Sequence, residues 1–81
     1  SHKVLGLKVA RVVISGDSVK SHKDTILKIL KKHDPEMKGD FYPATGKIVA
    51  VLVQVKLDFV KRDLKGLDPK ISVEIKDKKL K

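Results

Sequence analysis

The sequence predicts one small α/β domain, an α+β sandwich with its helices on one face of a small sheet. Three observations carry this expectation. Apolar residues alternate along residues 4–14, 47–59 and 71–76, as half-buried strands require. Between the first two stretches, Val19, Ile26, Ile29 and Leu30 fall within one narrow stripe of a helix. At 81 residues the chain has room for one core, so residues 1–81 are read as a single domain.

The first strand places Leu5, Leu7, Val9 and Val13 on one face and Val12 and Ile14 on the other. Apolar residues on both faces near its end suit a central strand. Ser15-Gly16-Asp17-Ser18 breaks the pattern and supplies helix N-cap candidates. The helix then runs from about Ser18 to His33. Lys20, Lys28, Lys31 and Lys32 lie opposite its apolar stripe. Asp17 and Asp24 come early and Lys31 and Lys32 late, as the helix dipole prefers. Asp34-Pro35 ends it, because proline disfavours helical geometry in the residue before it.

Residues 35–47 are irregular, punctuated by Pro35, Gly39, Pro43 and Gly46, and their role stays open. Within them Phe41-Tyr42 reads as a short strand or as a pair packed onto the core. The second long strand, 47–59, sets Val49, Val51, Val53, Val55, Leu57 and Phe59 on one face. Its other face, Ile48, Ala50, Leu52, Gln54 and Lys56, grades from apolar to polar. Two readings fit residues 58–66. Val60, Leu64 and Leu67 have helical spacing, with Asp58 as the cap and Gly66 as the stop. Alternatively, the alternation through Phe59 carries the strand on to a turn at Lys65-Gly66. Ile71, Val73 and Ile75 alternate with Lys70, Ser72, Glu74 and Lys76, which suits an edge strand, and 77–81 reads as a frayed tail.

The resulting order, β-α-β-(α)-β, points to a ferredoxin-like or truncated ferredoxin-like sandwich. A crossover helix would make the first two strands parallel. On this reading Val12, Ile14, Ile48, Ala50 and Leu52 form a sheet face left uncovered by the helices. An uncovered apolar face on a small domain marks an interface, so these residues are the candidate oligomer contact of a homodimer or larger assembly. The loop 35–47 folding over that face is the competing expectation.

Composition narrows the function classes. Cysteine is absent, which excludes disulfides and any cysteine-ligated metal. The longest apolar run, 48–53, falls far short of the ~20 residues of a membrane span. Ser1-His2-Lys3-Val4 lacks the apolar stretch of a signal peptide, so a soluble, cytoplasmic protein is expected. Asn and Trp are also missing, Gln and Met occur once each, and Lys outnumbers Arg 17 to 2. Depletion of thermolabile types beside abundant lysine suggests a thermophile, archaeal or an archaeal virus. Thermophile enrichment normally raises Glu as well, but this chain has only two Glu, and its net charge is +9. That imbalance favours attraction to a polyanion.

The catalytic classes find no footing. No Gly-x-Ser-x-Gly elbow occurs, and the serines sit in turns or on strand surfaces. Asp17, Asp34, Asp58 and Asp68 fall at element boundaries, where capping needs them. His22 and His33 are about three helical turns apart, roughly 16 Å, too far to share a metal. His33, Asp34 and Glu36 cluster at the helix end and could catch a surface cation, although a boundary role explains them as well. Ala44-Thr45-Gly46-Lys47 ends like a phosphate loop, but Phe41 stands where its first glycine belongs and a strand follows instead of a helix. It reads as a turn, with Thr45 and Lys47 as possible polyanion contacts. The chain is therefore read as a binding module and not an enzyme, with no cofactor, metal, membrane or small-molecule substrate expected.

The candidate nucleic-acid contacts are Lys20, Lys28, Lys31, Lys32, Lys47, Lys61, Arg62 and Lys65. If both helices pack on one sheet face, they make a continuous basic surface. Lysines are point charges and suit non-specific phosphate contact, with only Arg11 and Arg62 able to act as planar forks. DNA and RNA are not distinguished. The competing reading is a protein-interaction or assembly module, in which the lysines serve solubility and heat adaptation.

Overall fold

The computed structural model describes residues 6–76. Its elements run β1 (Val9–Ser15), α1 (Lys23–His33), β2 (Lys38–Tyr42), β3 (Lys47–Val53), a 3-10 turn (Gln54–Lys56), α2 (Leu57–Leu67) and β4 (Ser72–Ile75). This is a small mixed α+β fold: four antiparallel strands in one open sheet, ordered β2-β3-β1-β4, with two helices. Expectations for residues 1–5 and 77–81, including the start of the first strand and the frayed tail, fall outside the described residues.

β1 and β3 form the centre of the sheet, paired antiparallel from Val9↔Val53 to Ile14↔Ile48. This overturns the parallel pairing expected for them, and the cause is β2. Residues 38–42 form a strand that pairs antiparallel with β3 from Lys38↔Val51 to Tyr42↔Lys47. Since β1 and β2 both run against β3, they are parallel to each other, and α1 is the crossover between them. By the same logic β3 and β4 both run against β1, with α2 as their crossover. Two β-α-β units are thus interleaved in one sheet.

Phe41-Tyr42 are strand, as one reading of that pair expected, but the start of β2 was hidden by its composition. Lys38-Gly39-Asp40 contains two residues that strands disfavour. The glycine is there for space: a Cβ on Gly39 would stand 2.9 Å from Met37 Cε and 3.1 Å from Ala50 Cβ, beneath Leu27 of α1. The β2–β3 turn closes when Tyr42 O accepts from the N–H groups of Thr45 and Gly46, at 3.2 and 2.8 Å. Gly46 takes φ 70, the left-handed conformation that glycine adopts without steric cost.

The second correction concerns which sheet face is buried. Val12, Ile14, Ile48, Ala50 and Leu52, expected on an uncovered face, form the floor of the core, each at most 1% exposed. Ile26 and Leu30 of α1, and Leu57, Val60 and Leu64 of α2, pack against them, together with Val19 and Ile71. The uncovered face carries Val9, Arg11, Val13, Val49 and Val51. Period-two alternation defines two faces without naming the inner one. The deciding clue is charge: Arg11 and Lys47 share the valine face, and turning it inward would bury Arg11 unpaired in mid-sheet. Residues 35–47 do not fold over the sheet as a loop: residues 38–42 extend it at its edge as β2, while Met37 joins the buried core and Phe41 packs against it.

The third correction is the length of β3. The strand stops at Val53, and Val55, expected on the buried face, is 70% exposed. The alternation through Phe59 is a coincidence of two patterns, because Leu57, Val60 and Leu64 already belong to the buried stripe of α2. The helical reading of residues 58–66 is the one the structure adopts, with α2 running one residue past Gly66. α1 starts later than expected. Residues 17–22 form turns, with Val19 N–H donating to Gly16 O at 3.1 Å and His22 N–H to Ser18 O at 3.0 Å. It ends where expected, with Asp34 extended at φ −146 and its N–H donating to Leu30 O at 2.9 Å.

Candidate nucleic-acid interface

The predicted lysines fall in several parts of the structure. Three of them, Lys28, Lys31 and Lys32, flank a shallow, open depression along α1 beside half-buried Leu27. Helical geometry explains the grouping: positions 27 and 31, and 28 and 32, are one turn apart and stack along one side. Among the described residues neither Lys28 nor Lys31 has a carboxylate within ion-pair distance, whereas Lys32 Nζ lies 3.1 Å from Asp63 Oδ2 of α2. Lys20 and Lys47 line a different cleft, between the β1–α1 connection and the β2–β3 turn, with Ser15, Gly16, Asp17, Thr45 and Gly46.

The α2 cations are placed differently. Lys65 turns onto the backbone, its Nζ donating to Pro69 O at 3.1 Å and to Ile71 O at 2.6 Å. It thereby ties the end of α2 to the entry of β4. The Arg62 guanidinium sits over the Phe59 ring at 5.4 Å, and Lys56 Nζ lies at the same distance from that ring. His33 of α1 stacks on Phe59 with ring centroids 6.1 Å apart. Lys61 is half-buried. Asp63 and this aromatic cluster lie where α1 meets α2.

Asp63 joins the helices, receiving His33 Nε2 at 2.7 Å as well as Lys32. Sequence reading missed it because nothing in α2 announces which residue of α1 will face it. Lys23 was also missed; its ammonium lies 5.9 Å from the Phe41 ring centre. Among the described residues His33, Asp34 and Glu36 do not converge as a metal-binding group. The Asp34 carboxylate is buried and accepts the Glu36 N–H at 3.0 Å and the Val53 N–H at 2.8 Å. Among the described residues no three His, Asp or Glu side chains converge as metal ligands do. No described helix is long and apolar enough to cross a membrane.

Two carboxyls are held below their ordinary range. Asp63 is lowered first by its hydrogen bond to His33 and then by that to Lys32. Asp68 is lowered first by the Ser18 hydroxyl and then by the Lys70 N–H. A folded-state pKa below the ordinary 3.8 contributes stability that is complete above that value. It is lost as pH falls through the lowered folded values. The expected result is a stability that drops with acidification below about pH 3.8. Denaturant titrations across that range should show a shallower drop for the double variant Asp63→Asn, Asp68→Asn. An unchanged slope would show that neither contact survives in solution.

Comparison with protein-family models, with curated proteins and with solved structures finds no match to this chain.

Proposed function

We propose that this domain binds nucleic acid non-specifically, through phosphate contacts made by the lysine face of α1. The observation that carries this reading is that Lys28 and Lys31, exposed on α1 beside Lys32, have no carboxylate within ion-pair distance among the described residues. Unpaired ammonium groups in a row attract a chain of phosphates and release its counterions on contact. The lysine point charges favour backbone contact over base reading. Lys20 and Lys47 add charge at the other end of the domain, whereas Lys65 is engaged with its own backbone and drops out of the contact set.

The test is fluorescence anisotropy with generic duplex DNA and single-stranded RNA from low to moderate salt. Log K for duplex should fall linearly with log salt, at roughly −0.9 per phosphate contacted. Lys28→Glu with Lys31→Glu should weaken binding at least about tenfold and reduce that slope by about 2. Absence of binding to both nucleic acids at low salt would overturn the reading.

A ferredoxin-like sandwich is the fold class we infer. Its support is the strand order β2-β3-β1-β4 together with the two interleaved β-α-β units, the split arrangement of that class. A second functional reading, assembly through the sheet, also has an observation behind it, with the surface reassigned. Val13, Val49 and Val51 are only half-buried on the face that no helix covers, and Val9 beside them is 38% exposed. Light scattering on the same sample separates the readings, because a monomeric mass overturns assembly of the chain with itself.

A further inference from the structure

We infer that the cleft between the β1–α1 connection and the β2–β3 turn binds a single phosphoryl group, held by Lys20 and Lys47. The two segments are far apart in sequence and meet because β1 and β3 are paired, with Ile14 opposite Ile48. That register brings the end of β1 beside the start of β3. The cleft measures about 320 Å³, at the lower end of the ~300–1,000 Å³ range of small-ligand pockets. Its lining has no apolar side chain: Ser15, Gly16, Asp17 and Lys20 stand on one side, Thr45, Gly46 and Lys47 on the other.

Three features select a phosphoryl group. First, both ammonium groups are exposed and neither has a carboxylate within ion-pair distance among the described residues. Charge-assisted hydrogen bonds to an anion are therefore available without breaking a native pair. Second, Gly16 and Gly46 contribute backbone only, at φ 145 and 70, and a Cβ on Gly46 would meet nothing within 4 Å, so the entrance is open on that side. Third, the cleft holds one carboxylate, Asp17, against two lysines, for a net charge of +1. That balance favours one small anion and disfavours a cation. The Thr45 hydroxyl, 3.4 Å from Tyr42 O, is held only loosely by the turn and can donate to a phosphate oxygen instead.

This inference does not rest on the α1 reading, which uses Lys28 and Lys31 at a separate depression. The phosphoryl group could belong to a free phosphate monoester or to a nucleic-acid strand, and the experiment separates these sources. The ¹⁵N-labelled chain is titrated, at constant ionic strength, with inorganic phosphate, with AMP beside adenosine, and with a short RNA. Saturable amide shifts are expected at Gly16, Asp17, Thr45 and Gly46, with phosphate and AMP but not with adenosine. Shifts at those amides from the RNA alone would assign the phosphoryl group to a strand.

Lys20→Gln with Lys47→Gln should weaken the response at least about tenfold while the rest of the spectrum is unchanged. Asp17→Asn should tighten it by about threefold, since the competing charge is removed. The inference fails if no ligand saturates these amides, if sodium chloride reproduces the shifts, or if the double lysine variant responds as the parent does. The double lysine variant leaves Lys28 and Lys31 intact, so loss here with duplex binding retained leaves the nucleic-acid reading standing.

Discussion

Replacing Leu52 with aspartate is expected to unfold the domain. Leu52 is fully buried between the sheet and its helices, opposite Ala10 of β1. Truncation to alanine alone should cost about 2–5 kcal/mol, the sum of lost transfer energy and the cavity left behind. A carboxylate at the same place must also be desolvated without a partner. Together these approach or exceed the ~5–15 kcal/mol that holds a domain folded. The neighbouring residue behaves oppositely. Val51 lies on the uncovered face, with Arg11 opposite it on β1 and Lys38 opposite it on β2. Val51→Asp therefore gains two cross-strand cations, each such pair worth roughly 0.2–1 kcal/mol, against the loss of a half-buried valine. Its stability should change by no more than about 1 kcal/mol. Circular dichroism with urea titration on both variants decides the matter. A folded Leu52→Asp beside an unfolded Val51→Asp would mean that the faces are assigned the wrong way round.

Asp34→Ala should produce the next largest loss, about 3 kcal/mol. The Asp34 side chain is 4% exposed and accepts two backbone N–H groups, from Glu36 and from Val53. Hydrogen bonds to a charged acceptor are worth about 1.5–3 kcal/mol, and a buried donor left unpaired carries its own penalty. The Val53 bond joins the end of α1 to the last residue of β3, just where that strand gives way to the 3-10 turn. Its loss should therefore loosen the β3–α2 junction as well as the loop at 34–36. For a domain of this size the melting temperature should fall by roughly 10–20 °C. Asp34→Asn is the sharper comparison. It preserves shape, but its amide nitrogen cannot accept, so at most one of the two bonds survives and an intermediate loss is expected. Urea midpoints with unchanged m-values would attribute the loss to the native contacts. An Asp34→Asn variant as stable as the parent would show that the second bond contributes nothing.

The candidate site was legible in type but not in arrangement. Lys28, Lys31 and Lys32 could be grouped from helical spacing, since positions one turn apart share a side whatever the helix packs against. The engagement of Lys65 with Pro69 and Ile71, and of Lys32 with Asp63, depends on how α2 meets β4 and α1. No local pattern encodes those meetings. The cleft at Lys20 and Lys47 shows the same division. Sequence marked Thr45 and Lys47 as possible anion contacts, and only the β1–β3 register supplied the Gly16–Lys20 wall facing them.

Local chemistry was sufficient for the class of fold and for several element ends. Helix α1 follows from its apolar stripe and stops at Asp34-Pro35, because a residue before proline resists helical geometry. β1 and β4 follow from alternation, and the apolar-rich β1 takes a central place while the lysine-flanked β4 takes an edge. Three things waited for tertiary structure: the strand at residues 38–42, the antiparallel sense of β1 and β3, and the choice of buried face. β2 exists because β3 offers it an edge to pair with, and Gly39 fits where a Cβ would crowd Met37 and Ala50. Once β2 occupies the parallel partner's place relative to β1, β3 must run the other way. Alternation has a period of two and gives both faces equal standing. Arg11 and Lys47 already weigh against turning the valine face inward, and the packing of both helices on the other side completes the choice, because burying those charges would cost more than burying isoleucine and leucine returns.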